Sequence, residues 1–238
     1  MVGSGHTFIE LTALPSKPRG KAINPAWRYL VGAHATVQGV FDGLTVVRAS
    51  KAKEDARGRL GRDEADLLRA AIVFTSSGID ACCKRLLRDS VPLLINGNTS
   101  AARKFDDYVK QELAEGPSAA MSAAIRSLKP REEMVRLYVA ARTKASFQGS
   151  DDLKSRLRDT LGISNTQLPT AKLKTLDDFF VARNAIVHDL DYVNPSGTGS
   201  DRHVRSLDGV QTQCDSALVL VAEFIAEAAV NIRALPKS

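Results

Sequence analysis

Apolar residues recur at three- and four-residue spacing along most of the chain, and nowhere do they alternate over a sustained run. The clearest stripe runs from about Asp63 to Leu94, through Leu67, Leu68, Ala71, Ile72, Thr75, Ile79, Cys82, Cys83, Leu86 and Leu87. Val73 and Phe74 widen it, so burial on more than one face is expected. Upstream, Asn24 before Pro25 predicts a helix start, followed by Trp27, Leu30, Val31, His34, Val37 and Phe41 on one stripe, with Gly39 and Gly43 weakening its end. Ser100–Glu115 reads as a helix stopped by Gly116-Pro117, and 118–128 as a short alanine-rich one. Pro130, with Glu132 and Glu133 in the first turn, opens another, and Ser150 starts a short helix ending near Gly162. Thr175-Leu176-Asp177-Asp178 resembles a capping box ahead of a helix over about 176–192. A loop of composition Asn194-Pro195-Ser196-Gly197-Thr198-Gly199-Ser200 follows, then a long helix over about 204–235 with Leu207, Val210, Cys214, Leu218, Val221, Ile225, Ala228 and Ile232 inward. With no convincing strand and no internal repeat, the pattern predicts an all-α multi-helix bundle.

Composition leaves that picture intact. The 238 residues suffice for a substantial core, and 44% hydrophobic with 25% charged residues is ordinary globular composition. Residues 1–60, rich in Gly and Pro at their start, read as an arm and helical extension, and residues 61–238 as the bundle. Apolar runs are short and broken by charge, so no membrane span is expected, and the first 21 residues do not read as a secretory signal. A cytoplasmic location is the expectation. Cys82, Cys83 and Cys214 lack zinc-ligand spacing and are expected to be small buried side chains. The net charge of +6 mildly favours an anionic partner. Lys51, Lys53, Arg57, Arg59, Arg62 and Arg69 are interleaved with Glu54, Asp55, Asp63, Glu64 and Asp66, which reads as a solvated helix face. Only 5% of residues are aromatic, against a sheet that stacks bases.

The chemically suggestive run is Arg183-Asn184-Ala185-Ile186-Val187-His188. With Ile186 set at zero and ~100° per residue, Phe179 falls near ~20°, Leu190 near ~40° and Ala182 near ~−40°, which is the core stripe. Asn184, His188 and Asp191 fall near ~160°, ~200° and ~140°, opposite it, with Phe180 and Val181 on the same outward side and Arg183 on the flank near ~60°. Apolar residues beside His188 imply a cover for this face, a second subunit being one candidate. Histidine suits proton transfer near neutral pH, and arginine suits the charge developing on a phosphate. The plainer alternative is a solvated His188, with Arg183 paired to Asp177, Asp178 or another acid.

Arg183-Asn184 followed by His188 resembles the signature of the HEPN superfamily of nucleotide-binding helical domains, nearest to the variety associated with RiboL-PSP ribonucleases. The resemblance covers about 63–235 and implies an up-down bundle core with residues 1–60 as an N-terminal extension. It also implies a metal-independent RNA endonuclease of toxin or antiviral-defence type. In it, the RNA 2′-hydroxyl attacks the adjacent phosphate at a composite site made by two copies. Arg183 and His188 would be the working pair, Asn184 an orienting residue, and Asp80, on the helix through Ile79-Asp80-Ala81-Cys82, the acidic residue facing the motif. RNA, a second copy of the chain, and an antitoxin or defence protein are the partners implied; no metal, cofactor or membrane is. Some members carry a modifiable tyrosine two residues after the histidine. This chain has Leu190 there, with Tyr192 the nearest, so the resemblance does not extend to that mode of control. A catalytically silent HEPN-like module that binds RNA or a protein, and a helical scaffold without a site, stand as alternatives. His34 is expected to be a hydrogen-bonded core residue, while His6 and His203 are assigned no role.

Overall fold

The computed structural model describes residues 9–51 and 60–236. The chain is an all-α bundle, with α1 (Asn24–Lys51), α2 (Arg62–Leu94), α3 (Thr99–Ala114), α4 (Ala119–Ile125), α5 (Pro130–Thr143), α6 (Ser150–Asp152), α7 (Thr170–Lys174), α8 (Asp177–Asp189) and α9 (Leu207–Arg233). A π-helical turn, Leu153–Arg158, continues α6. No strand occurs among the described residues; Tyr192 and Arg202 form one isolated antiparallel bridge.

α2 is the spine, packing on α1, α9, α8 and α5. Its predicted stripe is the buried one, with Leu68, Ala71, Ile72, Thr75, Ile79, Cys82, Cys83, Leu86 and Leu87 all inside. Phe74 is the exception: it is exposed, so α2 does not bury the second face expected of it. From α1 the core takes Trp27, Leu30, Val37 and Phe41, whereas Val31 lies in solvent. α1 runs unbroken past Gly39 and Gly43, because its contact with α2 supplies what those glycines lack in propensity. A Cβ at Gly78 of α2 would overlap Ala33 Cβ, so small residues set the approach of the two helices. α1 belongs to the same apolar core as α2 and α9, and the expected boundary at residue 60 adjoins the segment 52–59 outside the described residues. Over Asn24–Ser50, α1 is long and apolar enough to cross a membrane by length and composition alone, a property that core helices of bundles share.

Before α1, residues 9–20 form an extended strap along α1 and α9. Ile9 and Leu11 are buried, and Gln38 reads the backbone twice, its Oε1 accepting from Leu11 N at 2.8 Å and its Nε2 donating to Ile9 O at 2.9 Å. Asp215 accepts from Thr12 N, and Gln211 donates to Glu10 O. His34 is half-buried with Nε2 2.9 Å from Thr12 O, a strap contact in place of the core position expected.

Candidate functional site

The helix that carries the motif starts without the capping box read at Thr175. The Thr175 hydroxyl donates to Lys172 O at 2.8 Å, closing α7, and no side chain caps α8. Asp177 and Asp178 in the first turn favour the helix dipole instead. Phe179, Ala182 and Ile186 face the core as the ~100° projection predicts. Phe180 does not face outward; it is buried, edge-on to Phe179 at 5.3 Å between ring centroids.

α8 ends at Asp189, three residues before the expected Tyr192. Leu190 (φ 51°) and Asp191 (φ 64°) both adopt left-handed backbone, and Asp191 N donates back to Ala185 O at 2.8 Å. Non-glycine residues reach this region at a cost, so something must hold them there. The holder is Asp191 itself. Its side chain is completely buried, not on the outward face, and is gripped by Arg69 Nε at 2.8 Å and by Arg205 Nη2 at 2.5 Å and Nε at 3.1 Å. His203 N donates to Asp191 O at 2.9 Å, and Arg69 Nη2 to His203 O at 3.1 Å. Burial raises the Asp191 carboxyl pKa, but the hydrogen bonds and charges of Arg205 and Arg69 overcome it and hold the group below its ordinary value. Sequence periodicity carried α8 through Asp191 because no Gly or Pro marks the stop. The arginines at 202 and 205 could pair with Asp189, Asp191, Asp201 or Asp208 by sequence, and spacing does not single out Asp191.

Arg183, Asn184 and His188 lie on one helix. Arg183 is partly buried, and its Nη1 donates to Asn184 Oδ1 at 3.0 Å. Its Nε is buried without a partner, and no carboxylate pairs with it among the described residues, so the expected alternative of a bond to Asp177 or Asp178 is not formed. His188 is exposed, and its ring makes no hydrogen bond among the described residues. Val181, Val187 and Leu190 around it are exposed too, the first by 67%. Arg183 and His188 are separated by about 7.5 Å along the axis and ~140° around it, so they diverge within one chain.

Asp80 makes no hydrogen bond or ion pair with Arg183, Asn184 or His188 among the described residues. Its Oδ1 accepts from Phe147 N at 2.9 Å, and its Oδ2 pairs with Lys84 Nζ at 2.9 Å, which pins the segment between α5 and α6. Asp80 is a loop anchor because the π-turn and Arg156, stacked 4.5 Å over the Phe147 ring, bring Phe147 against α2. The three cysteines are buried; desolvation pushes the Cys82 and Cys214 thiols up to about 12, and Cys83 is also raised. They are inert thiols rather than nucleophiles. Among the described residues no group of His, Cys, Asp and Glu is arranged to hold a metal ion. His6 and the charged residues Lys53, Glu54, Asp55, Arg57 and Arg59 lie outside the described residues.

Compared with protein-family models, with curated proteins and with solved structures, the chain matches none.

Proposed function

We propose that this chain is a metal-independent RNA endonuclease of HEPN type, acting in a toxin or antiviral-defence setting with an antitoxin or defence protein as its natural restraint. The observation that carries the reading is the state of Arg183: a guanidinium beside Asn184 that no carboxylate neutralises among the described residues, one and a half turns from an exposed His188. A buried, unbonded Nε is costly unless a ligand or partner completes it, and a phosphate is the natural complement.

The chemistry needs a base, an acid and a charge clamp. The 2′-oxygen attacks phosphorus as its proton passes to a histidine, and the 5′-oxygen leaves as a proton is returned to it. The products are a 2′,3′-cyclic phosphate and a 5′-hydroxyl. Arg183 would hold the equatorial oxygens as charge builds on them. Because Arg183 and His188 diverge on one helix, the site takes them from two copies whose outward α8 faces meet. The exposed Val181, Val187 and Leu190 supply the apolar rim that such a meeting would cover. The same divergence is what favours the second reading, a silent HEPN-like module that binds RNA or a protein without cutting.

Incubation of the protein with single-stranded RNA in excess EDTA separates the two. Cleavage to cyclic-phosphate ends that is lost in folded His188→Ala and Arg183→Ala proteins supports the nuclease. Intact RNA with wild type at every protein concentration rejects it.

A further inference from the structure

A cleft of about 320 Å³ opens between the start of α2 and the loop after α8. Arg62, Arg69 and Arg202 line it together with Gly61, Tyr192 and Ser200, and every charged residue among the described lining is an arginine. The carboxylates that hold Arg69 and Arg202, Asp66 and Asp191, are not among the described lining. The walls are preformed. Arg69 is buried, with Nε on Asp191, Nη1 on Asp66 at 3.1 Å and Nη2 on His203 O. Arg202 lies 5.4 Å over the Tyr192 ring and, among the described residues, its side chain gives only Nη1, at 3.0 Å, to Asp66. The Tyr192–Arg202 bridge and the bond from Val193 N to Asp201 O at 2.9 Å close the base of the loop. Arg62 is exposed and forms no ion pair or hydrogen bond among the described residues. Arg69 therefore contributes field, while Arg62, the remaining nitrogens of Arg202 and the Ser200 hydroxyl are left to bind.

We propose that this cleft is a phosphate subsite for the RNA strand, flanking the bond cut at His188; the identity of the ligand rests on the nuclease reading above. Arginine donors in a cleft whose described lining holds no carboxylate suit a phosphate diester, which accepts two parallel N–H bonds. Tyr192 is four residues from His188, so their Cα atoms lie within about 14 Å, a distance one strand can span. The buried Asp191 ties the two places together, holding both Arg69 of the cleft and the left-handed end of the motif helix.

Full-length His188→Ala protein, which binds without cutting, and a fluorescent 12-nucleotide single-stranded RNA test this by anisotropy across salt. Arg62→Ala with Arg202→Ala is expected to weaken binding about tenfold and to lower the salt slope by about one to two. Arg62→Glu alone, an exposed change in the first turn of α2, keeps the test valid if the double variant loosens the loop, and it should weaken binding as well. Arg88→Ala, about 29–39 Å away along α2, should change nothing. Unchanged affinity and slope in both Arg62 variants, or an equal loss with Arg88→Ala, overturns the subsite. RNA binding through Arg62 and Arg202 by a wild type that never cleaves would keep the subsite and remove the nuclease. Cleavage with binding indifferent to both arginines would do the reverse.

Discussion

Asp191 is the residue whose removal should cost most. A buried carboxylate between two arginines leaves two poorly compensated cations when neutralised, and breaking such a pair costs about 3–5 kcal/mol. Asp191→Asn is therefore expected to lower the chemical-denaturation midpoint sharply, whereas a change of a few tenths of a kcal/mol would show the triad to be idle. Its pH signature has a fixed sign. The folded carboxyl titrates below its ordinary value, so its stabilisation is complete above about pH 4 and is lost as pH falls through the lower folded value. The wild-type midpoint should drop on acidification more steeply than that of Asp191→Asn. The cysteines give a second test at this scale. With all three thiols buried and their ionisation suppressed, a thiol reagent should label native protein slowly and reach three groups per chain only on unfolding. Rapid labelling of any one in native protein contradicts the packing of α2 and α9.

Helices were readable where one apolar stripe met one core. The predicted span of α2 and its inward residues match the structure, because spacing alone decides a long buried helix. Ends were not readable where tertiary bonds set them. α8 stops at a left-handed leucine because a buried ion triad pulls the next residue inward, and Thr175 serves α7 rather than α8. Both facts depend on residues far away in the chain. The same reasoning predicts that Leu190→Gly, which removes the left-handed penalty of ~1–2 kcal/mol at an exposed site against ~0.5–1 kcal/mol of added chain entropy, is neutral to stabilising by up to ~1.5 kcal/mol. A loss of more than ~1 kcal/mol would mean that the Leu190 side chain is needed for packing. At the α1–α2 contact, Gly78→Ala should destabilise by about 1–3 kcal/mol through overlap with Ala33 Cβ. Ala33→Gly leaves Ala33 Cα 3.5 Å from the new methyl, so the double variant should recover part of the loss as a favourable coupling. Additive effects would show that the helices do not meet there.

For the molecule as a whole, the bundle presents the motif helix with its outward face uncovered. The sequence placed His188 on that face, where it is exposed, and Asn184, which is half-buried, but it put Phe180 and Asp191 there as well, and the structure buries both. It matched Asp80 to the motif by resemblance, and the structure uses Asp80 to hold Phe147. The proposed catalysis rests on the Arg183, Asn184 and His188 run, with an arginine-lined cleft at its far end that no local spacing announces, since its walls come from residues more than a hundred positions apart. The account's central claim is that two copies pool these residues, and complementation tests it most directly. Arg183→Ala and His188→Ala proteins, each inactive alone on RNA in EDTA, are mixed and allowed to exchange subunits. The account predicts that the mixture regains roughly a quarter of wild-type cleavage: about half of the dimers are mixed, and each mixed dimer keeps one of two intact Arg183–His188 pairs. A mixture as inactive as its components, alongside an active wild type, would contradict it.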